Sequence, residues 1–473
     1  MRIESDSVGS LEVPSEAYYG VQTLRGRRNF TITNSTLHPQ LILSLAKIKK
    51  AAAITNAAAG LLPRGIAEAI EQACDEIIAG KLHDQFILDP IQGGAGTSAN
   101  MNANEVIANR AGEILGSKLG SYDKVHPNDH VNMAQSTNDV FPSAGKIAIY
   151  ELLQAAQKEL IRLRDAFQAK AVEFDDIIKV GRTQLQDAVP MRLGQSFQAY
   201  ASAITRDIDR IDYIKKEITV LNMGGTAIGT GINASPYYIE HIADALSQVC
   251  GFKVESAPNL IDATQNLDCF VLVSGIIRTC AVNMSKIAND LRLLSSGPKT
   301  GVAEIKLPAK QNGSSIMPGK VNPVIPEVVS QVAFNIIGND VTVTLCAEAG
   351  QLELNAFEPV LFYNLFESIE TLGRAAATFT DNCVTGITAN REHCKELLEQ
   401  SLVVVTALCP YIGYKKAAWL ANEALRLNRP IRDLIREDGS IDDAYLEKIL
   451  DPQVLTHPHP FEVVPDEVKL KAK

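Results

Sequence analysis

Apolar residues return every three or four positions over long stretches of this chain. Between Ile149 and Phe167 they fall at Ile149, Leu152, Leu153, Ala156, Leu160, Leu163 and Phe167, while Glu151, Gln157, Lys158 and Arg162 take the other face. That spacing predicts an amphipathic helix. Comparable patterns run through 196–222, 266–297 and 327–350. Each is long for a globular helix, which predicts a bundle of long helices. Period-two alternation is scarce. Residues 9–14 read as a short strand and 30–33 as extended chain, so minor β content is expected near the N-terminus. Strands do not alternate with helices, which argues against a doubly wound α/β sheet. The expected fold class is all-α.

Two breaks divide the pattern. Ser136-Thr137-Asn138-Asp139 supplies capping side chains before an amphipathic run, placing a helix start near Asn138. Gly386-Ile387-Thr388-Ala389-Asn390 interrupts the chain again before a charged helix. Three domains follow: an N-terminal one over 1–137, a central long-helix bundle over 138–386, and a small helical one over 387–473.

Composition narrows the class without identifying it. Of 473 residues, 46% are apolar and 21% charged, as in an ordinary globular protein. The formal charge of −10 and the lack of a basic run argue against a nucleic-acid surface. An anionic substrate therefore needs a local positive site. The eight cysteines are scattered with no C-x-x-C pair, which reads as buried free thiols in a reducing compartment. The first residues are charged and lack the apolar core of a signal peptide. No uninterrupted apolar run reaches the roughly 18 residues that would cross a bilayer. The expectation is a cytoplasmic protein with no membrane partner.

Chemistry concentrates in four polar segments. Gly313-Ser314-Ser315-Ile316-Met317-Pro318-Gly319-Lys320-Val321-Asn322-Pro323 cannot continue a helix, because its glycines free the backbone and its prolines remove donors. It carries two hydroxyls, an ammonium and a carboxamide, the equipment for gripping a carboxylate. Ile316, Met317 and Val321 interleave with those groups, which a solvated linker would not need, so it reads as a catalytic loop. In 93–105, glycines precede a helix and Thr97, an arrangement that suits an anion, although a plain capped helix start explains it equally well. In 132–139, the hydroxyls of Ser136 and Thr137 are either caps or carboxylate ligands. In 181–190, polar side chains crowd around Thr183 and Gln184. Together these segments offer neutral donors but few acids or bases, which suits a small dicarboxylate on which charge develops. The eight histidines form no H-E-x-x-H or H-x-H pattern, so no metal site is expected.

At these residues the chain resembles the aspartase/fumarase superfamily. The resemblance rests on Gly313–Pro323 and continues through 18–23, 93–105, 135–139, 181–190 and 224–231, nearly end to end and in order. Fumarases and some aspartases carry histidine where this chain has Gln184; Gly181–Met191, 260–264 and 347–352 look more like the aspartase branch. The resemblance implies reversible elimination of ammonia from L-aspartate to give fumarate, with class II fumarate hydratase as the alternative. It implies Ser314 as the base that takes a Cβ proton. Thr97, Ser136, Thr137 and Ser315 would hold the β-carboxylate, although Ser315 also fits a role in satisfying its own loop. Lys320, Asn322 and Thr183 would hold the α-carboxylate, and Asn138 and Gln184 the amino group. A homotetramer with sites shared between chains is implied. No organic cofactor is implied, and Mg2+ activation is a property of some relatives only. Glu327, which in the histidine-bearing scheme would pair with the missing histidine, stays outside the set.

Overall fold

The computed structural model describes residues 1–439 and 441–457, and it is mostly helical. A hairpin opens the chain, with β1 (Arg2–Asp6) antiparallel to β2 (Gly9–Val13). Asp6 closes the turn by accepting the Val8 and Gly9 N–H groups. Then come α1 (Val21–Asn29), α2 (Pro39–Ala58), α3 (Arg64–Ile78), α4 (Thr97–Ile114) and α5 (Thr137–Glu173). A second hairpin follows, β3 (Ile178–Thr183) and β4 (Gln186–Arg192). Beyond it lie α6 (Leu193–Ile218), α7 (Pro236–Cys250), α8 (Leu260–Gln265), α9 (Asp268–Leu294), α10 (Val324–Glu348), α11 (Glu358–Asn382) and α12 (Arg391–Gln400). Shorter helices cover 409–455.

All four helical patterns lie largely within long helices: α5, α6, α9 and α10 run for 37, 26, 27 and 25 residues. The start expected near Asn138 is at Thr137. Residues 9–13 form a strand, but 30–33 do not. There the Ile32 and Thr33 N–H groups are taken by the Asp89 carboxylate, so no partner strand is needed. The sequence pattern missed the β3–β4 hairpin. A register shift between Val180 and Arg182 and a proline at 190 break the alternation that would have announced it.

The chain divides into two compact units. The first comprises 1–159, 207–282 and 331–374. Its interior holds an aromatic cluster in which Phe362 meets Phe141, Phe270 and Phe366 at centroid separations of 5.1–5.4 Å. The second comprises 160–206, 283–330 and 375–473, of which 440 and 458–473 lie outside the described residues. Phe167 there packs against Phe197, Tyr200 and Phe379. A separate apolar cluster in this unit gathers Leu408, Leu420, Ile431, Ile435, Leu446 and Leu450 from the C-terminal helices.

By length and mean hydropathy, α9 and α10 match membrane-crossing helices, which a search for uninterrupted apolar runs passes over. Their polar residues meet inside the first unit. Asp340 of α10 is buried and accepts Ser274 at 2.7 Å and Arg278 at 2.5 Å, both from α9. These bonds place α9 and α10 against one another.

Glu358 sits in the first turn of α11, where the helix dipole favours an anion by up to roughly 1 kcal/mol. It is nonetheless 2% exposed, and its Oε1 has no hydrogen-bond partner among the described residues. Burial pushes its carboxyl up to about 8 against the pull of Lys146. Desolvation thus outweighs the dipole, by on the order of several kcal/mol. The folded chain keeps a proton that the unfolded chain releases above its ordinary value of 4.5. Stability from this group is therefore full below that value and declines as pH rises toward about 8. Glu358→Gln should flatten that decline and raise the unfolding midpoint at pH 8 by a few degrees. Thermal unfolding of both proteins at pH 5, 6.5 and 8 checks this; parallel curves would contradict it.

Candidate active site

In the first unit, the donors gather where two helices begin. Gly96 precedes α4 with φ of +85°, and a Cβ there would lie 2.4 Å from the Phe141 ring, so only glycine fits. Thr97 follows, donating its hydroxyl to Gly94 O at 2.8 Å, and it lines a cavity of about 620 Å³ with Arg25, Met101 and His126. One turn on, Asn100 donates to Thr137 Oγ1 at 3.2 Å, which ties the start of α4 to the start of α5. Ser136 Oγ accepts the Asn138 N–H at 3.2 Å as a cap. Asn138 commits its own NH2 to Ala227 O at 2.7 Å, which leaves the amide oxygen as the end able to accept from an ammonium.

Two buried charges brace this patch; sequence reasoning took Asp139 only as a capping side chain and missed Lys49. Asp139 accepts the N–H groups of Ser136, Gly224 and Thr226 at 2.9–3.1 Å, which joins the α5 start to the 224–231 segment. Burial pushes its carboxyl up to about 6 against those three donors and the more distant Lys49. Lys49 on α2 is fully buried, and its ammonium reaches Asn100, Asn132 and Gln135. Burial pulls it down to about 7, with Asp139 opposing the fall. The available signal was position: Lys49 falls on the apolar face with Ile42, Leu45, Ala46 and Ala53, while Lys47 and Lys50 beside it do not.

The remaining candidates lie in the second unit. Thr183 pairs with Gln186 across the tip of the β3–β4 hairpin. Gln184 and Leu185 form its two-residue turn, with φ of +54° and +63°. Glu304 anchors the hairpin from below: fully buried, it accepts Arg182 at 2.6 Å and lies 3.1 Å from the Lys179 ammonium.

The 313–323 loop is non-helical, as its sequence requires, and it is closed by its own bonds. Gly313 N–H donates to Lys320 O at 2.8 Å, and the Asn322 amide donates to Gly313 O at 2.7 Å. Ser314 Oγ accepts two backbone N–H groups, from Ile316 at 3.2 Å and Met317 at 3.0 Å. Two donors aimed at one oxygen stabilise negative charge on it. Ser315 and Lys320 are exposed, and so are the apolar Ile316, Met317 and Val321. The sequence candidates therefore fall into two sets: Thr97, Ser136, Thr137 and Asn138 in one unit, and Thr183, Gln184, Ser314, Ser315, Lys320 and Asn322 in the other.

No group of three or more His, Cys, Asp or Glu side chains among the described residues is placed to hold a metal ion. A larger cavity of about 740 Å³, lined by Arg210, Asp268, Arg278 and Glu348, contains none of the candidates.

A family model described as Lyase matches residues 9–338, and one described as Fumarase C C-terminus matches 404–457. The chain is 53% identical to an aspartate ammonia-lyase from a Bacillus species, over 97% of this chain and 98% of that protein. It is 54% identical to an aspartate ammonia-lyase from Helicobacter pylori, over 98% and 99%. Among solved structures, fumarate lyase:delta crystallin from Brucella melitensis bound to cobalt aligns with a TM-score of 0.94 at 50% identity, covering 97% of this chain and 100% of that one. A class II fumarase from Schistosoma mansoni aligns at 0.93 and 37% identity with the same coverage. Helical content, motif order and these matches agree: the chain is a lyase of the aspartase/fumarase superfamily.

Proposed function

We propose that this chain is an aspartate ammonia-lyase, converting L-aspartate reversibly to fumarate and ammonia. Its full-length relatives at 53–54% identity carry that activity in their names. The observation that carries the chemistry is Ser314 Oγ under two backbone N–H donors. A serine hydroxyl is too weak an acid to serve as a base unaided at neutral pH, and charge stabilisation at the oxygen is what the role demands.

In the proposed reaction, the Ser314 alkoxide takes the Cβ proton and the C–H electron pair moves into the β-carboxylate. The resulting aci-carboxylate carries two negative charges and is received by the hydroxyls of Ser136, Thr137 and Ser315, and by that of Thr97 once it turns from Gly94 O. The pair then returns to form the Cα–Cβ double bond while the C–N bond breaks. Ammonium already bears its proton, so ammonia departs without an acid. This fits Gln184, which hydrogen-bonds an amine but cannot deliver the proton that a departing hydroxide needs. Asn138 is the second amine contact. Lys320, Asn322 and Thr183 hold the α-carboxylate, with Lys320 as its counter-charge. No organic cofactor enters this scheme. For Mg2+, an activator of some relatives, the described residues offer no ligand cluster, and no step is routed through it.

We also propose a homotetramer with sites shared between chains. Supporting this, Phe334, Ile337, Val341 and Leu345 form an apolar stripe on α10 that is 38–63% exposed in the single chain. Ile316 and Met317 likewise present apolar surface beside the catalytic serine. Exposed apolar surfaces of this kind support the proposed subunit contact. Eight unpaired cysteines are in keeping with the cytoplasmic location proposed for the protein.

Three measurements test these readings. Purified protein given L-aspartate or L-malate separately should form fumarate, followed by ultraviolet absorbance, from aspartate only; turnover of malate alone would make it a hydratase. Ser314→Ala should lower kcat by about 10³-fold or more with oligomer and unfolding midpoint unchanged; near-native turnover would remove serine from the base role. Val341→Lys should split the assembly, read by light scattering, and abolish activity with it. A monomeric variant of full activity would refute shared sites.

A further inference from the structure

Lys49 is fully buried, and its Nζ faces three neutral amide oxygens, a set that the three donors of an ammonium satisfy and the two of a neutral amine do not. Its ammonium donates to Asn100 Oδ1 at 2.7 Å, Asn132 Oδ1 at 2.9 Å and Gln135 Oε1 at 2.9 Å. An ammonium has three donors and no acceptor, so it dictates which end of each amide faces it. All three amides must turn their oxygens inward and their NH2 groups away. For Asn132 and Gln135, the NH2 groups go to backbone oxygens of Gln135, Val131 and Met133. For Asn100, the NH2 points at Asn132 Oδ1 and at Thr137 Oγ1, each at 3.2 Å.

The last of these bonds has a chemical consequence. Thr137 Oγ1 accepts from the protein, so its single proton remains for an acceptor supplied from outside. Were Asn100 flipped, its oxygen would capture that proton, and Thr137 would meet an anion with lone pairs. The cation thus decides the polarity of a hydroxyl it does not touch. We propose that Lys49 is a positioning residue that acts through Asn100 to hold the Thr137 hydroxyl as a donor toward the substrate's β-carboxylate. This rests on the ammonia-lyase reading, in which Thr137 binds that group.

Charge on the β-carboxylate grows as the Cβ proton leaves, so a donor held in place matters more in the transition state than in the ground state. The experiment is a double-mutant cycle between Lys49→Gln and Thr137→Val, assayed with L-aspartate, with assembly confirmed by light scattering. Glutamine at 49 keeps donors for the amide oxygens but removes the charge and one bond. In the native background, Lys49→Gln should lower kcat roughly 10–100-fold while KM moves less than about 3-fold, a smaller loss than that expected from removing the donor itself. In the Thr137→Val background the same substitution should change kcat less than about 2-fold, because its target is gone. Multiplicative losses, or a loss confined to KM, would overturn the relay. If Lys49→Gln does not assemble, Asn100→Leu takes its place in the cycle with the same expected non-additivity. An unmutated enzyme inactive on L-aspartate would overturn the reaction reading and the relay with it, whereas an active enzyme indifferent to both variants would overturn the relay alone.

Discussion

Two unlike charges are kept dry in the first unit, and each is held by neutral groups. The Asp139 carboxylate sits under three backbone N–H groups, and the Lys49 ammonium sits under three amide oxygens. Burying an isolated ion is expensive, and only complete hydrogen bonding at fixed geometry makes it tolerable. That requirement ties the start of α5, the 224–231 segment, α2 and α4 into one arrangement. None of those pieces can shift without stranding an ion. The hydroxyls of Ser136 and Thr137 inherit their positions from this constraint.

The second unit solves a similar problem with different means. Glu304 is buried beneath Arg182 and Lys179, so the strand leading to Thr183 is fixed by ionic contacts from behind. Among the described residues the Ser314 loop has no such ionic anchor and is closed by its own bonds between Gly313, Lys320 and Asn322. Rigid donors suit the groups that wait for the substrate's carboxylates. The proposed elimination calls for a charge receptor fixed in advance of proton removal.

Much of this was legible in the residues. Long amphipathic periods marked α5, α6, α9 and α10 because each helix buries one continuous face. Gly, Pro and Ser marked the 313–323 loop because helices exclude them. Other features left no local trace. The β3–β4 hairpin is obscured by its bulge and by Pro190, which spoil the period of two. Lys49 is one of three neighbouring lysines, and only its register against Leu45 and Ala46 distinguishes it. Glu304 sits far along the chain from Lys179 and Arg182, and a pairing over that separation has no signature in a single sequence. What was missed is chiefly what holds the site in place from behind.

The tip of that hairpin gives an independent argument for Gln184. Two-residue hairpin turns with both central residues at positive φ ordinarily use Asn-Gly or Asp-Gly, because a β-carbon is crowded there. This chain places glutamine and leucine in that turn, at +54° and +63°. Each such residue costs roughly 1–2 kcal/mol relative to glycine. Nothing in the hairpin's own hydrogen bonding requires those side chains, and glycine would relieve the strain at either position. A side chain at this exposed turn is open to a contact outside the hairpin, as the proposed reaction asks of Gln184. In the proposed reaction that contact is the leaving amine, and a neutral amide at this point favours ammonia over hydroxide as the group expelled.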